Sequence, residues 1–153
     1  MNRNEKSIGY GMILLLSILA LSLYGCGDDG GGGGGVVVMN AQTNLDNGAA
    51  LNASGGPGPL TGGGGGVVSM VSIAGKTTND GSAYANGGRA DASLGGSAGG
   101  NGGNIILQSA APPATDNTAE TLQVVGGAGA TPGVNGHIVI DSLDVTPPDG
   151  TLP

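Results

Sequence analysis

The chain has 153 residues, with 11 acidic and four basic side chains and a formal net charge of −7. An acidic surface without a basic cluster repels phosphate, so the composition excludes a nucleic-acid-binding protein. The 35 glycines and the absence of Phe and Trp exclude an ordinary aromatic core, and the single cysteine excludes an intramolecular disulfide.

The first 25 residues have the organisation of a secretory signal peptide. Arg3 and Lys6 precede the apolar run GMILLLSILALSL. This run has about 13 residues, whereas a membrane-spanning helix needs about 20. We therefore predict that residues 1–25 form a helical signal peptide that is cleaved.

The sequence Leu23-Tyr24-Gly25-Cys26, at the end of the apolar run, resembles the lipobox of bacterial lipoproteins. The resemblance implies that the chain is cut between Gly25 and Cys26 and that lipid on Cys26 anchors it in a membrane. Two or three acyl chains, at ~0.8 kcal/mol per buried methylene, give stable anchoring. In enterobacterial lipoproteins an Asp after the cysteine is an inner-membrane retention signal. Gly27 in that position favours the outer membrane in a Gram-negative host.

After Cys26 the sequence divides into a tether, a repeat region and a tail. Residues 26–35 contain the lipidated cysteine and a flexible glycine tether, residues 36–145 form a Gly-rich β repeat domain, and residues 146–153 form a Pro-rich tail. Runs of glycine separate segments that are rich in β-branched residues, which is typical of short strands between turns.

The repeat region contains three similar units and a partial fourth. Each unit has a glycine run, a β-branched strand, a polar connection and a second strand that ends in Gly-Gly. By sequence comparison, Val36 and Val67 are 31 residues apart, Val67 and Ile105 are 38 apart, and Ile105 and Ile138 are 33 apart. Periods between about 20 and 50 residues are typical of solenoids and other repeat architectures.

Several local features are predicted from this pattern. The segments QTNLDN, KTTND and PPATDN are predicted to be polar turns, and HIVIDSLDV is predicted to be one alternating strand. If the units stack, equivalent inward positions form an aliphatic ladder that replaces an aromatic core. This predicted ladder consists of Val37, Val68, Ile106 and Val139.

The pattern resembles the Gly-rich repeats of secreted bacterial surface proteins, which stack as parallel β-helices or related solenoids. The resemblance implies an all-β fold, and we predict a Gly-rich β-solenoid or β-sheet for the body. Two alternatives remain open. A largely disordered chain would also account for the glycine content, and so would a bundle of polyproline II helices, in which glycine permits close approach of backbones.

Two glycine-rich motifs lack the residues that their chemistry requires. Gly75-Lys76-Thr77 ends like a phosphate-binding loop, but Met70 stands where that loop needs glycine. The segment Gly99 to Leu107 is similar to a calcium-binding nonapeptide, but Asn104 replaces the charged ligand. We therefore expect a turn that leads into a strand at Asn104, and no cofactor.

The titratable side chains do not form a recognisable catalytic or metal-binding set. His137 is the only histidine, so it has no second imidazole for a zinc site, and we expect it to face solvent on a strand. In one continuous strand, Asp141 and Asp144 would point to opposite faces. We predict no catalytic residues, no metal site and no enzymatic activity.

These observations predict a membrane-anchored lipoprotein of the cell envelope with a structural or adhesive role at the surface. The expected partners are the membrane, through Cys26, and copies of the same chain or a surface polymer. The alternative function is that of an accessory lipoprotein that binds a ligand or partner within an envelope or secretion assembly.

Overall fold

The computed structural model describes residues 30–110, 115–118 and 121–153, and within them every regular element is a β-strand. The strands are β1 (Val36–Ala41), β2 (Leu45–Asn47), β3 (Leu51–Asn52), β4 (Val67–Ser72), β5 (Thr77–Asn79), β6 (Ala83–Tyr84), β7 (Asn104–Ser109), β8 (Asp116–Asn117), β9 (Leu122–Gln123), β10 (His137–Ile140), β11 (Leu143–Asp144) and β12 (Thr151–Leu152).

The strands form three sheets around a common axis, and each of the first three coils adds one strand to every sheet. The long strands pair in the order β1-β4-β7-β10, all parallel, and β11 is added antiparallel. The second sheet is β2-β5-β8, and the third is β3-β6-β9 with β12 antiparallel at its end. This is a β-solenoid of about three turns, and the prediction of an all-β repeat fold is confirmed.

The aliphatic ladder runs along the inner side of the long strands, with a register one residue away from the prediction in the later coils. Val37 pairs with Val68, Val68 with Ile105, and Ile105 with Ile138. Val68, Ile105 and Ile138 are completely buried. The prediction was right for Val37 and Val68 and wrong for the other two positions, because the second coil is 37 residues long between Val67 and its partner Asn104, not 38.

Ile106 and Val139 therefore lie on the outer side of the long-strand sheet. Ile106 pairs with Ser69 on one side and with Val139 on the other. The run Asn104-Ile105-Ile106 offers two adjacent isoleucines, and composition alone cannot decide which one faces inward. The polar Asn104 occupies an exposed position, and the alternation of a strand then places Ile105 inside.

The two isoleucines provide a matched test of this register. Ile105→Ala should lower the free energy of unfolding by about 2–5 kcal/mol, because a completely buried side chain is lost and a cavity remains. Ile106→Ala should cost less than about 1.5 kcal/mol, because its side chain is only partly buried. Denaturant unfolding followed by far-UV circular dichroism measures both. A larger loss for Ile106→Ala would reverse the register assigned to β7.

The segment HIVIDSLDV is not one strand, as predicted, but a tight hairpin. Asp141 and Ser142 have φ angles of 48° and 68°, so the chain reverses there and β11 returns antiparallel along β10. Two central residues with positive φ characterise the type I′ turn, whose twist matches that of a two-stranded hairpin. Asp141 also accepts hydrogen bonds from the backbone N–H groups of Ser109 and Thr115, which fixes the turn on the preceding coil.

The predicted polar turns contain the second sheet. Leu45–Asn47, Thr77–Asn79 and Asp116–Asn117 are short parallel strands, and the prediction of turns is wrong there. Polar sequences form strands here because the buried amides bond to one another. The side chain of Asn79 accepts a hydrogen bond from Asn47 at 2.8 Å and donates one to Asn117 at 3.1 Å, so an asparagine ladder runs through the coils.

The remaining side of the solenoid is made of glycine-rich backbone in two layers. One layer consists of the segments that lead into the long strands, at residues 30–35, 61–66, 98–103 and 131–136; we call these the lead-in segments. The other consists of the return segments at residues 53–58, 85–90 and 124–129. Gly30–Gly35, predicted to be a tether, form the first lead-in segment and donate from Gly31 to Thr61 and from Gly34 to Gly64.

Hydrogen bonds between these segments recur every third residue. In the second lead-in segment, Gly62 and Gly65 donate to the next lead-in segment, whereas Gly63 and Gly66 donate to the first return segment. Three residues per turn is the period of a polyproline II helix, which forms no hydrogen bonds within itself and leaves its backbone groups for neighbours. A polyproline II bundle was one of the two alternatives for the whole body. The glycine segments have the hydrogen-bond period of such a bundle, although the body as a whole is a β-solenoid.

Glycine is required where these backbones touch. A Cβ on Gly65 would lie 2.1 Å from the carbonyl oxygen of Ala85 and 2.5 Å from the nitrogen of Gly103. The neighbouring Gly64 points outward, and a Cβ there would have only one neighbour, the Asn101 carbonyl oxygen at 3.9 Å. The sequence reflects this rule, since the third lead-in segment carries Asn101 at the position equivalent to Gly64.

We predict opposite effects of the same substitution at adjacent positions. Gly65→Ala should destabilise the protein by roughly 3 kcal/mol or more, because backbone atoms must move apart to admit the methyl group. Gly64→Ala should be neutral or stabilising by up to about 1 kcal/mol, because it restricts the unfolded chain without a clash. Thermal unfolding of the two variants decides this, and equal destabilisation would contradict the two-layer packing.

Candidate functional site

The residues predicted to carry the lipid anchor lie outside the described part of the chain. Gly25 and Cys26, the predicted cleavage and lipidation sites, precede Gly30, where the described residues begin. Cys26 is four positions from the first lead-in segment. Four links of extended chain span at most about 14 Å, so an anchor on Cys26 would hold the solenoid close to the lipid surface.

A shallow groove of about 460 Å³ lies on the outer side of the return segments. Its floor is glycine backbone, including Gly87 and Gly126, and its apolar edges are Pro57 and Val125. Arg89 stands at one side. Because the return segments repeat every three residues, Asn86 and Arg89 share the outward side, whereas Gly88 faces the preceding coil.

The groove offers hydrogen-bond donors. Neither the backbone N–H of Arg89 nor that of Ala128 forms a hydrogen bond within the described residues. Asn86 is held in place, because it donates to Gln123 at 2.9 Å and accepts from the backbone N–H of Val125 at 2.8 Å. The site therefore presents N–H groups and a guanidinium to whatever enters it.

Arg89 differs from the other cation of the solenoid. The Lys76 ammonium lies 2.7 Å from the Asp116 carboxylate, so it is already paired. Within the described residues, no carboxylate lies in salt-bridge contact with Arg89, although Asp91 is near enough for its pKa to be lowered slightly by the guanidinium, after the larger effect of the Ser93 hydrogen bonds. Arg89 can thus bind an external anion without breaking an internal pair.

The outer side of the long-strand sheet is a second surface, here called the outer face. It carries small and aliphatic side chains in rows across the strands. Val36 and Val38 are its exposed large hydrophobic residues, at 43% and 44% exposure. The aliphatic residues of the outer face are Val36, Val38, Val67, Val71, Ile106 and Val139.

At its C-terminal edge the outer face ends in an ion pair. The His137 Nδ1 lies 2.8 Å from an Asp144 carboxylate oxygen, and both side chains are more than half exposed, as expected for His137. Hydrogen bonds from the Thr146 hydroxyl and backbone N–H, followed by the contact with His137, lower the pKa of Asp144 to about 2. Asp144 is therefore ionised at any ordinary pH, and its carboxylate accepts the hydrogen bonds from Thr146.

Asp141 and Asp144 do not form a shared acid–base site. Burial raises the pKa of Asp141, but the hydrogen bonds from Ser109 and Thr115 outweigh it and the pKa is lowered overall. The Asp141 carboxylate thus acts as an acceptor that fixes the hairpin, whereas Asp144 bonds to His137 and Thr146. Sequence spacing suggested two faces of one strand, and the hairpin separates them instead.

Neither a metal site nor a spanning helix is found in residues 30–110, 115–118 and 121–153. No three His, Cys, Asp or Glu side chains there converge on one point. No helix there is long and apolar enough to cross a membrane. Asn104, which replaces the calcium ligand of the nonapeptide, is the exposed first residue of β7.

The groove could not be recognised directly in the sequence. Asn86 and Arg89 stand three residues apart in the glycine-rich stretch Asn86-Gly87-Gly88-Arg89, and this spacing was the available signal. The asparagine ladder had a clearer signal in the sequence, since an asparagine is the last residue of each short strand of the second sheet.

Comparisons of this chain with protein-family models, with curated proteins and with solved structures find no match.

Proposed function

We propose that this chain is a membrane-anchored lipoprotein of the cell envelope with a structural or adhesive role, held by lipid on Cys26. The observation that carries the proposal is the position of the lipobox cysteine four residues before a solenoid. A lipid at Cys26 places the solenoid within about 14 Å of the bilayer, and its three sheets then form a rigid block there.

The surfaces of the solenoid support a role in contact rather than in chemistry. The outer face combines exposed aliphatic side chains with polar ones such as Asn104 and Gln108, and a mixed surface of this kind suits association with a surface polymer or with copies of the same chain. After removal of residues 1–25, two basic and ten acidic side chains remain, and the resulting net charge of −8 keeps the body soluble and away from nucleic acid. Gly27 after the anchor favours the outer membrane if the host is Gram-negative.

Cys26→Ser should abolish incorporation of labelled palmitate and partitioning into detergent, because the thiol that accepts diacylglycerol is removed. The matched control is Gly27→Ser, which changes the adjacent residue and should still be labelled and cleaved. Metabolic labelling in the native host, followed by mass spectrometry of the N-terminus, measures both. Labelling of the Cys26→Ser protein would refute the anchor.

The groove favours a second candidate function, that of an accessory lipoprotein that binds an acidic ligand. Among the described residues, no carboxylate forms a salt bridge with Arg89 and no acceptor bonds to the backbone N–H groups of Arg89 and Ala128. On an acidic protein these donors select for carboxylate, which accepts paired hydrogen bonds from Arg. The groove is open along the return segments, so it fits a slender polymer such as an acidic polysaccharide.

A galacturonic acid oligomer tests this candidate. On titration it should shift the amide resonances of Gly87, Arg89 and Ala128, and Arg89→Gln should weaken binding about 10-fold or more by removal of the charged fork. Lys76→Gln is the control, because Lys76 is already paired with Asp116 and should leave binding unchanged. Equal loss in both variants would indicate attraction by net charge alone and would rule out the groove.

A further inference from the structure

The two ends of the solenoid are closed differently. At the C-terminal end, β11 covers the edge of β10 and β12 covers the edge of β9, both antiparallel. At the N-terminal end, β1 has a strand on one side only within the described residues. A strand edge that carries free N–H and C=O groups is a template for pairing with another chain.

The hydrophobic core is also open at the N-terminal end. Val37 and Met39 belong to the aliphatic ladder, yet they are only partly buried, whereas their partners Val68 and Met70 in the next coil are completely buried. The inward side chains of the first coil are more exposed than those of the second because, among the residues that the structure describes, no further coil lies against the first. Covering it would bury aliphatic surface that is now in contact with water.

In β1, every second residue directs its backbone N–H and C=O groups toward the free edge. The carbonyl oxygens of Gly35 and Ala41 accept hydrogen bonds from Val67 and Ile73, so the odd-numbered residues bond to β4. In a strand the alternate residues point the other way. The N–H and C=O groups of Val36, Val38 and Asn40 therefore face the open edge.

This edge lacks the features by which proteins prevent edge pairing. The sequence of β1, VVVMNA, contains no Lys, no Pro and no charged residue of any kind, and its six residues pair with β4 in an unbroken register. Natural edge strands of this length normally carry such protection or are covered. An uninterrupted, uncharged edge indicates that something pairs with it.

We propose that the N-terminal end is a dimer interface, in which β1 pairs antiparallel with β1 of a second copy. The C-terminal end does not suit this pairing, because the edge strands of its three sheets, β8, β11 and β12, have only two residues each, whereas β1 has six. Only like ends can meet, and a two-fold axis then closes the assembly as a dimer. With the axis at Val38, this residue faces Val38 of the second copy, and Val36 faces Asn40.

The antiparallel arrangement joins the two cores as well as the two sheets. A two-fold axis perpendicular to the sheet keeps inward side chains inward, so Val37 of one copy lies beside Met39 of the other. Residues 26–29 of the processed chain are too few to pair along all six residues of β1. The inference rests on the proposed function in one respect, the removal of residues 1–25 with the signal peptide. The dimer would in turn be the self-association that the proposed function includes.

Sedimentation of the lipidated protein in detergent, and of the unlipidated chain that starts at Gly27, tests the dimer. The shorter chain retains every hydrogen bond that joins the described coils. Both forms should sediment at twice the mass of one chain and dissociate on dilution. Val38→Pro should weaken dimerisation at least 100-fold, because it removes the central N–H donor from both copies without breaking a bond to β4.

The matched control at this position is Val38→Thr, which keeps the backbone N–H and should remain a dimer. Far-UV circular dichroism must show the same spectrum for both variants, so that loss of the dimer is not loss of the fold. A chain that is a monomer at every concentration, or a Val38→Pro variant that dimerises normally, would overturn the proposal.

Site-specific cross-linking gives a second measurement that does not depend on affinity. In the chain that starts at Gly27, which has no cysteine of its own, Val38→Cys should form a disulfide-linked dimer under mild oxidation, because directly paired residues have Cα atoms about 5.5 Å apart. Ser69→Cys is the control. Ser69 is on the same side of the sheet but one strand further in, so two copies of it would be about 14 Å apart.

The outcomes separate the possible occupants of the open edge. Open-ended polymers would show that unlike ends meet, and a dimer only in the shorter chain would show that preceding residues cover the edge; either result contradicts the proposal. The readouts are independent of lipidation. Failure of the dimer leaves palmitate labelling intact, and failure of the labelling leaves sedimentation of the shorter chain intact.

Discussion

The structure depends on contacts between peptide backbones that have no side chains between them. The lead-in and return segments approach so closely that a methyl group at Gly65 would meet two backbone atoms within 2.6 Å. At this distance each segment exchanges hydrogen bonds with neighbours in several directions, and the bonds satisfy groups that would be costly to bury unpaired. The glycine content, which would otherwise favour disorder, is thus the condition for a tightly bonded wall.

This wall also explains why the protein needs no aromatic core. Two backbone layers in contact fill one side of the solenoid without side chains, so the remaining interior is narrow. Val68, Met70, Ile105 and Leu107 on the long strands then suffice to fill it, together with small residues such as Ala83 and Ala85. On the third side the interior is polar, and the amides of the asparagine ladder satisfy one another and the neighbouring backbone.

The repeat length, the long strands and the all-β class could be predicted from sequence, because β-branched runs between glycines repeat at nearly constant spacing. The register of β7 could not be predicted from composition, since Ile105 and Ile106 are equally apolar; the exposed position of Asn104 and the pairing of whole coils place Ile105 inside. The second sheet was missed because Asn and Thr favour turns when considered locally. Their strand conformation depends on partners 32 and 38 residues away. The groove was missed for a similar reason, because it exists only when Arg89 and Val125 are brought to the same side by stacking.

Within each pair of parallel strands, all paired residues are separated by the same number of positions in the sequence, and this separation affects how the chain folds. Every rung between β1 and β4 joins residues 31 positions apart, and every rung between β4 and β7 joins residues 37 apart. The first coil therefore has no partner until the second has been synthesised, and the entropy of closing that loop is lost before any rung forms. Each later coil adds to an existing template. The antiparallel strands β11 and β12 follow all of the parallel strands in the sequence, so a chain that emerges from its N-terminus exposes an unfinished, aggregation-prone sheet edge until they have been added.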